Sequence, residues 1–253
     1  MDGIGLSAET VALVLLLLVL PVLFFLTSKV RAGKSGNLRQ ISGLEDLPVS
    51  VGLSAETGQP LHVSVGVGGV GGLSTAETWA GLTLLTQLAD EAASCDTPLI
   101  VTVADPTVLP IAQDILRRAS VRHGNPDGYD PTQVRFIAPI PMAYAAGVSG
   151  VLEREPLTGN VMVGSFGDEY LLMGQTGARR NVHQLVGTSD PATLAQVYAS
   201  ADDKLIGEEM FATGAYTRKL PIQIGSLLAE DWGRWAVAAV IVVLAIWKIL
   251  TRA

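Results

Sequence analysis

Nineteen consecutive residues, Thr10 to Ser28, carry no charge, and this run constrains the chain more than any other feature. Its centre, Val14 to Leu26, is apolar on every side apart from Pro21, so it is no amphipathic surface helix. About 20 such residues cross a bilayer as a helix, because a helix satisfies its own backbone hydrogen bonds there. A cleaved signal peptide needs a positive start, whereas the first ten residues hold Asp2 and Glu9 and no base. The bases come after the run, at Lys29, Arg31, Lys34 and Arg39, as beside a retained anchor with its N-terminus outside. A second apolar stretch, Trp235 to Thr251, is interrupted only by Lys248, which can snorkel. Trp232, Trp235 and Trp247 mark two interfacial levels around it. A third uncharged run, Phe136 to Leu152, contains Pro139, Pro141, Gly147 and Gly150 and reads as buried core.

The expected organisation follows. Residues 1–9 form a short extracytoplasmic N-terminus and 10–28 a first transmembrane helix. Residues 29–45 are a basic juxtamembrane linker, 46–229 a soluble domain, and 230–253 a second transmembrane helix with a short tail. The positive-inside rule places the soluble domain in the cytoplasm, beneath a cell (inner) membrane.

The middle of the chain is acidic. The whole sequence has 17 Lys and Arg against 24 Asp and Glu, a net charge of −7. Residues 40–229 hold 20 acids and 10 bases, so nucleic acid is excluded as a partner. One Cys and three His exclude a disulfide framework and a Cys-rich zinc site. The three histidines show no ligand spacing, so no metal is expected.

This middle reads as alternating strands and helices. Pro48–Val51 and Leu61–Val65 alternate with period two and predict a hairpin or two neighbouring strands. Ser74 to Ala93 has helical spacing, with Ser74 and Glu77 as a capping-box pair. Strands are then expected at 99–103, 134–138, 161–163 and 183–186, and helices at 108–121, 142–152, 168–176, 192–199 and 205–216. The pattern predicts an α/β domain of Rossmann-like, doubly wound type with a mostly parallel sheet, inserted between two transmembrane helices. Gly225 to Leu250 reads as one helix with a possible break at Gly233.

One chemical motif stands out. Gly66, Gly68 and Gly71 satisfy G-x-G-x-x-G between a predicted strand and a predicted helix, the context of a dinucleotide fingerprint. Ser74 opens the helix, and Asp105, at the end of the next strand, takes the place of the ribose-binding acid. The loop is rich in glycine, however, and Asp105 lies 34 residues beyond Gly71 instead of about 20. Asp105-Pro106 also has the form of a helix cap, like Asp130-Pro131 and Asp190-Pro191. A structural glycine turn therefore competes with a nucleotide site, and the cofactor, if any, stays open. Ser165 lacks the second flanking glycine of a nucleophile elbow, because position 163 is Val. The acid pairs Asp202/Asp203 and Glu208/Glu209 read as solvated faces. No catalytic residue is expected.

The strings Gly-Ser-Phe-Gly-Asp-Glu-Tyr (164–170), Ile-Gly-Glu-Glu-Met-Phe-Ala-Thr-Gly-Ala-Tyr (206–216) and Glu-Asp-Trp-Gly-Arg-Trp (230–235) resemble those of an uncharacterised family of bacterial two-span membrane proteins, a domain of unknown function. The resemblance implies a bacterial membrane location and supplies no site residue. The expected function is a membrane-anchored, non-enzymatic scaffold or assembly subunit, acting as a homo-oligomer or with a membrane-protein partner. The alternative is a regulatory module that binds a nucleotide or another anion at Gly66–Gly71.

Overall fold

A computed structural model describes residues 8–31, 41–217 and 221–252. Six strands are present among them: β1 (Leu61–Gly66), β2 (Leu99–Val103), β3 (Val134–Phe136), β4 (Gly159–Ser165), β5 (His183–Thr188) and β6 (Asp203–Ile206). All pair in parallel, in the order β3-β2-β1-β4-β5-β6. This is a Rossmann-like arrangement. The strand order reverses between β1 and β4, the switch point beyond whose carboxyl ends doubly wound sheets bind ligands.

The α-helices are α1 (Ala8–Arg31), α2 (Ser42–Glu45), α3 (Leu47–Thr57), α4 (Thr75–Ser94), α5 (Leu109–Arg122), α6 (Pro141–Arg154), α7 (Tyr170–Arg179), α8 (Pro191–Ser200), α9 (Glu209–Thr217) and α10 (Pro221–Arg252). The described residues fall into two compact units, α1 with α10, and residues 41–217. The second begins ahead of the expected boundary at 46, because Ile41 and Leu44 already belong to its core. Residues 221–229, expected in the soluble domain, belong to α10.

Every residue of β1 and β2 is buried, as helices on both faces of a parallel sheet require. On one face Val63, Val101, Val103, Val161 and Val163 pack with Leu82, Leu85 and Leu88 of α4. On the other, Met162 and Val186 pack with Tyr144, Val148 and Leu152 of α6 and Met173 of α7. Gly81 sets the approach of α4 to the sheet, since a Cβ there would run into the Val163 carbonyl oxygen.

Three expectations change. Residues 48–51 are part of α3 and not a strand. Leu47, Val51 and Ser54 lie one helical turn apart and are all buried, so the 3.6-residue period overrides the alternating Val-Ser-Val. Gly58, at φ +68°, closes that helix with its N–H on Ser54 O. Residues 203–206 form β6, and the helix expected from 205 begins only at Glu209. Backbone pairing with β5 decides this, through Gly187 opposite Leu205. Finally, α10 runs through Gly233 without a break.

In the other unit, Thr27 and Val30 of α1 and Ile224 of α10 are buried. Gly225 lets the helices close, because a Cβ there would meet the backbone of Thr27. Among the described residues no helix is long and apolar enough to cross a membrane. Side chains at many positions of the two apolar runs, among them Val11, Val14, Leu15, Val243 and Leu244, lie outside the description. So do residues 1–7 of the expected N-terminal tail and 32–40 of the expected basic linker.

Candidate functional site

The glycine loop leaves β1 at the reversal point. Gly66 takes φ +84°, which suits glycine, with the Ser165 backbone of β4 pressed against it. Its N–H donates to Ser64 Oγ at 3.2 Å, and the Val67 N–H donates to Ser165 O at 2.8 Å. Further round, the Val70 N–H donates to Thr107 Oγ1 at 3.1 Å and the Gly71 N–H to Thr75 Oγ1 at 2.9 Å. Gly68 lies against Ser74 and Thr78 of the following helix. Gly69 lies against the Asp105 carboxylate. Asp105 Oδ1 in turn accepts from the Thr107 N–H at 2.7 Å and from Thr107 Oγ1 at 2.5 Å.

The fold thus gathers Gly66, Gly68, Gly71, Ser74 and Asp105 at one edge of the sheet. Their local roles differ from the fingerprint. Gly71, at φ +102°, faces open space, and Gly81 provides the close helix–strand contact expected of a third glycine. Ser74 precedes α4 but makes no side-chain cap. Glu77, its expected capping partner, accepts instead from the Ser189 hydroxyl beyond β5. Asp105 is a turn residue bonded to Thr107, whereas Asp130 and Asp190 do cap, on Thr132 N at 2.8 Å and Thr193 N at 2.9 Å.

Electrostatics at this edge are one-sided. The segments beyond the strands are 66–74, 104–108, 137–141, 165–169, 188–190 and 207–209. They contain Asp105, Asp168, Glu169, Asp190, Glu208 and Glu209, and no Lys, Arg or His. Glu169 is buried and turns its carboxylate back onto the Gly167 N–H at 2.8 Å. Four loop N–H groups already have protein acceptors. A phosphate entering here would meet these acids, and the segments themselves supply no side-chain cation to offset them.

Beneath the edge lies a polar network that sequence reasoning did not find. Gln184 Nε2 donates to Gly174 O at 3.0 Å and Ser200 O at 2.8 Å, so its Oε1 accepts from Asn160 Nδ2 at 3.0 Å. Asn160 Oδ1 is then left to accept from His62 Nδ1 at 2.7 Å. That fixes the tautomer, and His62 Nε2 accepts from Thr102 Oγ1 at 3.0 Å. Tyr144 Oη continues the chain to Ser64 Oγ at 2.7 Å and Thr102 Oγ1 at 2.9 Å. His62, Thr102, Asn160, Gln184 and Tyr144 are all completely buried. Burial lowers the His62 pKa to about 4, opposed by the Asn160 hydrogen bond, and raises that of Tyr144 to about 12. A neutral, sealed imidazole orders the sheet interior and is out of reach of any substrate. The available signal was polar residues at alternate positions of apolar strands, His62 and Ser64, Thr102, Asn160 and Gln184.

Other sequence candidates separate in space. Ser165 ends β4 and His183 starts β5, paired with Gly159, so about 20 Å of strand divides them. His183 bonds Asp203 at 2.9 Å, and Asp202 accepts from the Gln184 N–H at 2.8 Å. Glu209 accepts from the Ile206 N–H at 3.0 Å. Among the described residues no group of three His, Cys, Asp or Glu could hold a metal ion.

No curated protein and no solved structure matches this chain. The profile of DUF6754, a domain of unknown function, does match, over residues 6–253, and the chain belongs to that family.

Proposed function

We propose that the protein is a membrane-anchored, non-enzymatic assembly subunit whose α/β unit acts as a docking body for copies of itself or a membrane-protein partner. The observation that carries this reading is the loop edge. It has the strand order and glycine loop of a nucleotide site, but its N–H groups at 66, 67, 70 and 71 are bonded within the protein, and the segments that form it carry six acids and no Lys, Arg or His.

Anchoring rests on the sequence runs 10–28 and 235–251, carried by α1 of 24 residues and α10 of 32. Phe24 is 78% exposed and Trp235 78%, and such apolar surface needs lipid or protein cover. The bases at 29, 31, 34 and 39 support a cytoplasmic α/β unit in a bacterial cell (inner) membrane.

A nucleotide module is the second reading, favoured by the strand order and by the glycine loop at the reversal point. Thermal unfolding of the detergent-solubilised chain with millimolar ATP or NAD, with and without Mg²⁺, separates the two. Assembly predicts an unchanged midpoint. A rise that disappears in Gly72→Glu, a position with open space around it, supports the nucleotide reading and refutes ours. Sidedness is read from the native thiol, because Cys95 is exposed and is the one cysteine in the sequence. An impermeant thiol reagent leaves it unlabelled in intact cells if the unit is cytoplasmic. Labelling in intact cells reverses the orientation.

A further inference from the structure

At the opposite edge of the sheet from the glycine loop lies a cleft of about 380 Å³. It opens between the C-terminal ends of α4 and α5 and the start of β2. Its volume falls in the range of small-molecule sites, about 300–1,000 Å³. Leu99 and Leu116 contribute an apolar floor, and Asp96, Ser120, Asn125 and Gln133 contribute polar groups. The lining holds no Lys, Arg or His. Thr97 lines it too, and its buried hydroxyl has no hydrogen-bond partner among the described residues. Asp96 stands at the mouth in the left-handed region, at φ +53°, exposed and with no ion pair among the described residues.

We propose that this cleft binds a small aliphatic amine. The ammonium pairs with the Asp96 carboxylate and donates to the carbonyl oxygen of Asn125 or Gln133. The methylene chain lies on Leu99 and Leu116. A carboxylate or phosphate ligand is disfavoured, since Asp96 would repel it with no cation in the lining to compensate. A wholly neutral ligand leaves the carboxylate unused. The site is independent of the glycine loop and of the membrane reading, because every residue in it belongs to the α/β unit.

The test is ligand-observed saturation-transfer NMR on the detergent-solubilised full chain. The probes are 1,4-diaminobutane, 4-amino-1-butanol, 1,4-butanediol and butyrate. The two amines should give saturable transfer at millimolar concentration, and the diol and the acid should give none. Asp96→Asn keeps a residue tolerant of positive φ while removing the charge, and should weaken amine binding about tenfold. Gln133→Glu should strengthen it several-fold. Amine transfer unchanged in Asp96→Asn, diol transfer equal to that of the amines, or no transfer from either amine overturns the proposal.

Discussion

Acid should destabilise the α/β unit through one residue. His62 is neutral and buried, with a pKa of about 4 in the folded protein against an ordinary 6.5. Between these values the unfolded chain binds a proton that the folded chain refuses. Stability therefore rises with pH across that window and falls as pH drops from 6.5 towards 4. The full linkage is about 3 kcal/mol, and about 2 kcal/mol of it is lost between pH 7.5 and pH 5. Asp114, Asp130 and Asp190 are held below the ordinary carboxylate value by hydrogen bonds from Arg117, Thr132 and Thr193 respectively. Their contribution is present above the unfolded carboxylate pKa and is lost as pH falls through their lowered values, below the His62 window. Urea unfolding of the full chain, followed by tryptophan fluorescence and by circular dichroism, measures the effect at pH 7.5, 6.5, 5.5 and 5. His62→Gln should start less stable at pH 7.5 yet lose about 2 kcal/mol less on acidification. Tyr144→Phe should be destabilised but keep the wild-type slope, because its imidazole is intact. Parallel pH curves for wild type and His62→Gln would refute the assignment.

Other outcomes follow from the geometry. Gly81→Val should cost about 3 kcal/mol or prevent folding, since its side chain enters the Val163 carbonyl; a melting temperature within a degree of wild type contradicts the packing described. Gly66→Ala should destabilise far more than Gly72→Ala, because Gly66 has φ +84° and the Ser165 backbone beside it whereas Gly72 has open space; equal effects in thermal denaturation refute that distinction. Asp190→Ala should cost about 1 kcal/mol by removing the cap on Thr193, read from the urea midpoint at constant m-value, and no shift means the cap contributes nothing.

Much of this architecture is legible in the sequence. Continuous apolar runs such as Leu99–Val103 and amphipathic stretches such as Ser74–Ala93 mark their elements, because burial period and backbone period coincide there. The sequence misleads where the two compete. Val-Ser-Val at 49–51 alternates, but tertiary burial of Leu47, Val51 and Ser54 selects a helix. Residues 203–206 are too short to show a period, and only pairing with β5 makes them a strand. The glycine loop was visible, and so was its position between strand and helix. Its engagement was not, because the acceptors Thr107 and Ser165 lie far away in sequence. For the same reason the His62 network could not be read from spacing, since its members sit on four strands and on α6.

Native mass spectrometry of the full chain in mild detergent addresses the assembly reading most directly. It reports subunit number and retained small molecules together. The account predicts a defined homo-oligomer, or a stoichiometric complex with a co-extracted membrane protein, carrying no nucleotide-sized mass. A monomer that retains such a mass, and loses it in Gly72→Glu, would contradict the account and make the glycine loop a binding site.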